Sequence, residues 1–177
     1  MILSQMSKST PRAATAQLAA GGKKMPKKDI GMTFSTYGNV YVAKVAIGAN
    51  PTQAVKAFAE AEAYDGPSLI IAYAHCINHG LNLAKGLDQQ KKAVACGHWP
   101  LYRYNPDLEE QGKNPLHIDS KAPSMPFADY ALNENRYRML KMMNPAHADE
   151  LMAMSQKDVE RAWKFLEGRA KALEPGK

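Results

Sequence analysis

One short run of this 177-residue chain brings together side chains able to do chemistry: His75-Cys76-Ile77-Asn78-His79. A thiolate flanked by two imidazoles can bind zinc, join an iron–sulfur cluster or act as a nucleophile. A single cysteine, with one histidine just before it and another three residues after, supplies only part of a metal's ligand set. By itself the run also fits an inert buried cysteine beside loop histidines. The second cysteine, Cys96, is too distant for a CxxC pair and stands before Gly97 at a helix end, where it reads as core. Its distance from Cys76 sets up no disulfide framework either, and a reducing cytoplasm is the expected compartment.

The address of the run gives it interest. Ser68 to Ala74 is β-branched and apolar, a buried strand, and ligands of open α/β sheets gather beyond the carboxyl ends of such strands. A matching strand precedes it at Val40 to Ile47. Between them Asn50-Pro51 opens a helix, with Asn as cap and Pro in the first turn, and Asp65-Gly66-Pro67 closes the segment with a turn. Strand, helix, strand is one βαβ unit, so the two strands are predicted to be parallel with a right-handed crossover.

Around this unit the chain reads mainly as helix. Thr10-Pro11 looks like a helix start, with Arg12 to Ala20 helical and Gly21-Gly22 ending it. Asp29 to Tyr37 is read as a short helix and Leu83 to Ala95 as another. Trp99 to Ser120 has no helical period and reads as strand and loop; its aromatic stretch Trp99 to Pro106 suggests a half-buried strand rather than a base-stacking platform. Lys121 to Pro126 is a linker. Phe127 to Met143 makes one or two short helices, and Pro145 opens a longer one. Its buried side would carry Leu151, Val159, Trp163, Leu166 and Leu173, with a break near Ser155 and Asp158, which resemble a capping box. Met139, Met142, Met143, Met152 and Met154 are expected to fill core or interface. Residues 1–120 then form an α/β unit and residues 121–177 a linker and helices.

Composition narrows the function classes. The hydrophobic fraction of 45% allows a real core, and no apolar run approaches the length needed to cross a bilayer. The net charge of +6 is scattered apart from Lys23-Lys24 and Lys27-Lys28, a poor footprint for nucleic acid and a better one for a solvated surface or an acidic neighbour. No GxGxxG or Walker A glycine pattern is present, and spacing supports no Ser-His-Asp set and no catalytic residue. The first 28 residues are basic, rich in Ser, Thr and Ala, and free of acids, as organelle transit peptides are.

Seven segments carry a resemblance to a known family. They are Ser7-Lys8-Ser9-Thr10-Pro11, the run from Tyr37 to Ala43, the run from Glu60 to Ser68, and Cys76-Ile77-Asn78-His79-Gly80. Leu101 to Pro106, Gly112-Lys113-Asn114-Pro115 and Asp119-Ser120-Lys121 complete the set. In this order and spacing they resemble the pyruvate:ferredoxin (flavodoxin) oxidoreductases, from about Gln5 to near the C-terminus.

The resemblance implies a partial open parallel sheet flanked by helices, of the thiamine diphosphate-binding kind, followed by a helical C-terminal segment. Residues 1–120 would be the latter half of that domain. Proteins of the family oxidise pyruvate with coenzyme A to acetyl-CoA and carbon dioxide, using thiamine diphosphate, magnesium and [4Fe–4S] clusters, and pass electrons to ferredoxin or flavodoxin. The family's strand-end cysteine, fourth ligand of the cluster nearest the thiamine, maps onto Cys76. The family's Gly-Asp-Gly thiamine motif and other three cluster cysteines do not occur in this sequence, and Met1-Ile2-Leu3-Ser4 stands where the family has Asn-Thr-Gly-Gly. The chain therefore reads as truncated inside the cofactor loop. Its basic N-terminal stretch reads as internal, a mitochondrial or hydrogenosomal address being the alternative. Partners would be the upstream remainder, a second copy of the complete enzyme, and ferredoxin or flavodoxin; neither membrane nor nucleic acid is expected. Alone, the chain is expected to hold no cofactor and to be inactive. A scaffold domain that kept the fold without the chemistry is the competing reading, and a basic RNA-binding protein a third.

Overall fold

The computed structural model describes residues 10–16, 20–75 and 79–175. A four-stranded open sheet organises them, in the order β2-β1-β3-β4. The βαβ unit is present as read. Strand β1 (Tyr41–Val45) and strand β2 (Ser68–Ala72) are parallel, Val42 facing Leu69 and Lys44 facing Ile71. Helix α2 (Pro51–Ala63) joins them; the Asn50 side chain accepts from the Gln53 N–H, and Pro51 needs no partner for the N–H it lacks.

The other half of the sheet departs from an all-parallel expectation. Strands β3 (Tyr102–Tyr104) and β4 (Leu116–Ile118) add on antiparallel, Ala43 facing Arg103 and Arg103 facing His117. The link between them is short, so a hairpin-like reversal is the only geometry open to it. Helix α4 (Asp107–Glu110), a single turn within that link, has no sequence period to announce it. Strand β3 is not half-buried: all three of its residues are covered, because helices lie on both faces.

Alternation along β1 sorts the core. Tyr41, Ala43 and Val45 pack with Ala54 and Ala57 of α2. Val42 points to the opposite face with Tyr102 and Tyr104, against Met32 of helix α1 (Ile30–Phe34) and Trp163 and Leu166 of helix α7 (Pro145–Ala172). A third cluster at the carboxyl end of β1 unites helix α3 (Gly86–Ala95) with α5 (Phe127–Ala131) and α6 (Asn135–Met143) through Ala93, Trp99, Tyr130, Tyr137 and Leu140. The whole is an open sheet between helical layers with a helical C-terminal part, consistent with a thiamine diphosphate-binding-like fold.

Several local expectations change. Residues 12–16 are not helical: Ala13 has φ +66°, its N–H bonds to the Lys23 carbonyl, and the Thr15 N–H bonds to the Arg136 carbonyl at 2.8 Å. Non-local partners have outcompeted local helix propensity there; residues 17–19 lie outside the described residues. Helix α7 runs unbroken through Ser155, whose buried hydroxyl bonds back to the Leu151 carbonyl at 2.8 Å instead of capping a new start. Of the methionines, Met152 packs on the core, whereas Met139, Met142, Met143 and Met154 are exposed. Gly97 ends α3 with φ +75°, and a Cβ there would stand 2.5 Å from Pro123 Cγ, so only glycine fits. Among the described residues no helix is long and apolar enough to cross a membrane.

Candidate functional site

Of the strand-end run, His75 and His79 are described. β2 ends at Ala72, Tyr73 continues its pairing by donating to the Val45 carbonyl, and His75 and His79 follow. Their rings lie 6.3 Å apart, and His75 Nε2 and His79 Nδ1 are buried without a hydrogen-bond partner among the described residues. Burial lowers the basicity of both, His79 to about 4, so both are neutral at pH 7. Cys76, Ile77 and Asn78 lie outside the described residues, and so does the Ser7-to-Ser9 part of the first family segment.

Cys96 is where its bland reading put it. It is fully buried, its Sγ approaches the Ala93 carbonyl at 3.5 Å, and burial pushes its thiol up to about 11. Such a thiol is neither nucleophile nor ligand. Among the described residues no group of three His, Cys, Asp or Glu side chains could hold a metal ion. These residues do not fit a [4Fe–4S] cluster by themselves, because such a cluster needs four ligands and this chain has two cysteines, one sealed in the core.

Beside the histidines opens a cavity of about 250 Å³, lined by Lys27, Tyr73, His79, His98, Trp99 and Arg136 among others. It shares Pro11, Lys27 and His98 with a larger one of about 380 Å³ that also takes in Asp29 and Lys44. Trp99 is the fixed wall: its indole N–H donates to the Val45 carbonyl at 3.0 Å, and Tyr73 meets it edge-on. Two ammonium groups, Lys27 Nζ and Lys44 Nζ, each stand 4.5 Å from the Trp99 ring. Sequence reading missed this pair, since the residues are distant in the chain and nothing local marks them.

The charges here are unbalanced. Lys27 is pushed down to about 8, by burial first and then by Lys44 and Arg136; burial lowers Lys44 as well. Asp29 is the acid that offsets them, and its carboxylate already caps α1 by accepting from the Met32 N–H. Arg136 Nε is committed to the fully buried Glu134 at 2.5 Å, and Gln89 donates to the other oxygen of that carboxylate at 3.1 Å. His98, stacked on Tyr130 at 5.0 Å, is held neutral by burial and by the nearby cations.

On the α2 face of the sheet, four of the family-like segments meet. Arg103 donates to both oxygens of Asp119, at 2.9 and 2.8 Å, and also pairs with Glu60. Tyr41 donates to Glu60 at 3.0 Å, and Gln53 to Asp119 at 3.0 Å. Asp119 holds the guanidinium firmly protonated. These charge-assisted bonds fasten α2 to the sheet, with Glu60 partly exposed and Gln53 Oε1 left without a partner among the described residues.

The basic cavities lie beyond the strand ends of an α/β layer, the end of such sheets at which ligands bind. The comparisons with known proteins make the relationship specific. No protein-family model matches the chain. It is 54% identical over 161 residues to a pyruvate-flavodoxin oxidoreductase of Trichormus variabilis, covering 91% of this chain and 14% of the relative. It is 52% identical over 156 residues to the pyruvate:ferredoxin oxidoreductase of Moorella thermoacetica, covering 88% and 13%. With the pyruvate-flavodoxin oxidoreductase of Klebsiella pneumoniae the identity is 51% over 156 residues, covering 87% and 13%. Over about nine-tenths of its length the chain is similar to a short stretch of pyruvate-flavodoxin and pyruvate:ferredoxin oxidoreductases. It spans about one seventh of the length of the relatives it matches.

Proposed function

We propose that this chain acts as the C-terminal part of a pyruvate:ferredoxin (flavodoxin) oxidoreductase and contributes to the coenzyme A-dependent oxidation of pyruvate to acetyl-CoA. The observation that carries this reading is identity above 50% across nine-tenths of the chain to a small share of proteins bearing those names. Residues 1–120 are read as the latter half of the thiamine diphosphate-binding unit, and residues 121–177 as linker and closing helices. The upstream remainder would bring thiamine diphosphate, magnesium and the other cluster ligands. The complete assembly would be a cytoplasmic homodimer delivering electrons to ferredoxin or flavodoxin.

Within that assembly Cys76 serves as the fourth thiolate of the [4Fe–4S] cluster nearest the thiamine. Its position in the sequence, four residues past β2, at the end of the sheet where α/β proteins receive ligands, supports this role. The remaining residues of this chain supply packing and charge around it. Alone, the chain is expected not to oxidise pyruvate, because the cofactor chemistry is supplied from outside it.

The test replaces the matching stretch of the Moorella thermoacetica enzyme with this chain and compares Cys76→Ala with Cys96→Ala. The first should lower the iron content and remove the electron paramagnetic resonance signal of the reduced proximal cluster; the second should change neither. Retention of iron and signal in Cys76→Ala, or equal loss in both, overturns the assignment. A chimera that assembles but carries the scaffold alone, with no cluster in the unsubstituted form, would favour the non-catalytic reading instead.

A further inference from the structure

The basic cavity at the strand ends has a composition that the packing of the fold does not require. Lys44 occupies the penultimate position of β1, the central strand, and points to the face shared with Val42. A leucine or methionine would satisfy that position better if its work were only to fill space. Lys27 reaches the same indole from the loop before α1, so two like charges lie within about 9 Å of each other across one aromatic ring. Neither makes an ion pair with a carboxylate among the described residues. Arg136 lines the smaller cavity, which shares Lys27 with the larger one that Lys44 lines, and its Nη2 is only loosely engaged by the Tyr130 hydroxyl at 3.4 Å.

We propose that the two adjoining cavities, joined at Lys27 and His98, bind a small oxyanion, the phosphate or carboxylate end of a metabolite-sized molecule, with Lys27 between Lys44 of the larger cavity and Arg136 and Trp99 of the smaller. Three cations of different reach converge from three separate segments: the loop before α1, strand β1 and helix α6. Their number exceeds what Asp29 and Glu134 neutralise, and both acids are already engaged, in the α1 cap and with Arg136. An oxyanion entering between the ammonium groups replaces repulsion by charge-assisted hydrogen bonds. His79 and His98, neutral at pH 7, can each add an N–H donor without adding charge. The Trp99 face gives the remainder of the ligand an apolar wall, as small-molecule sites commonly provide. The carboxyl ends of β1 and β2 are also the end of the sheet at which α/β proteins receive ligands.

The site stands on described residues alone and does not depend on the oxidoreductase reading. It is tested with the 177-residue chain by isothermal titration calorimetry at constant ionic strength, using inorganic phosphate, pyrophosphate and malonate as ligands. Saturable binding of at least one ion is expected. Tighter phosphate or pyrophosphate identifies a phosphate end, and tighter malonate a carboxylate end. Lys27→Met, in the loop before α1, should weaken that binding by about tenfold or more. Lys44→Met should do the same, and Lys44→Arg should restore most of it. No binding of any of the three ions, or binding undiminished in both methionine variants, overturns the proposal.

Discussion

Two cationic positions lie next to each other on the sheet and face opposite ways. Arg103 of β3 is paired with Ala43, and Lys44 is the next residue along β1, on the other face. Arg103 is fully matched: Asp119 grips it bidentately and Glu60 takes the third contact. Lys44 has an indole and a second lysine for company. The same sheet therefore buries one positive charge to hold itself together and carries another that works against it. A charge that costs stability where an apolar residue would fit marks a site kept for binding, whereas a neutralised one marks architecture.

The largest expected effect comes from breaking the matched side. Asp119→Ala leaves Arg103 buried with Glu60 as its remaining carboxylate partner, and Gln53 with only its longer bond to the Lys44 carbonyl. We expect a loss of about 3 kcal/mol in the urea-unfolding free energy. Glu60→Gln, whose side chain is 30% exposed, should cost no more than about 1 kcal/mol. Equal losses would mean that the network is not centred on Asp119.

The unmatched side should respond with the opposite sign. Lys27 has its folded value lowered to about 8, against about 10.4 in the unfolded chain. Between those values the unfolded state binds more protons, so stability rises with pH; below about 8 the penalty is present in full. The groups acting on Lys27 are Lys44, Arg136 and Lys23, which lower it, and Asp29, which raises it. Lys27→Met should therefore be more stable than the parent at pH 7, and the gap should narrow between pH 8 and 10. Urea midpoints of both proteins across that range check it; a gap independent of pH refutes the charge argument.

The smallest effect on stability belongs to a region that neither charge touches. Phe58 and Val55 expose more than half of their surface on the outer side of α2. Phe58→Ser should shift the unfolding free energy of the chain by less than about 0.5 kcal/mol. If the chain is a segment of a larger oxidoreductase, the same substitution should lower its recovery in the soluble chimera with the Moorella remainder. Unchanged recovery would place this face in solvent.

The local parts of the fold were legible from residue order. Asn50-Pro51 announced α2, Gly97 announced the end of α3, and the β-branched runs announced two parallel strands, because each signal is carried by neighbouring residues. What could not be read depends on partners far apart in the chain. Residues 12–16 have helical propensity but bond instead to Lys23 and Arg136. Tyr102 to Tyr104 reads as half-covered until helices from both ends of the chain close over it. The Arg103 network joins Glu60, Arg103 and Asp119, and the paired lysines come from before and within β1. The cysteine run was found by type and address alone, whereas the cavity beside it needed coordinates.

Helix α7 has a consequence for how the molecule comes into being. Its 28 residues span about 42 Å and bury Trp163 and Leu166 against the sheet, Leu151 against α6, and Asp158 against Arg12 near the opposite end of the chain. A ribosome releases those residues after every strand has already emerged. Until then the Val42 face of the sheet has only α1 over it, and α6 lacks its partner helix. The nascent sheet is thus incompletely covered in the interval before α7 arrives, which is when a chaperone or a second chain has its opportunity to bind.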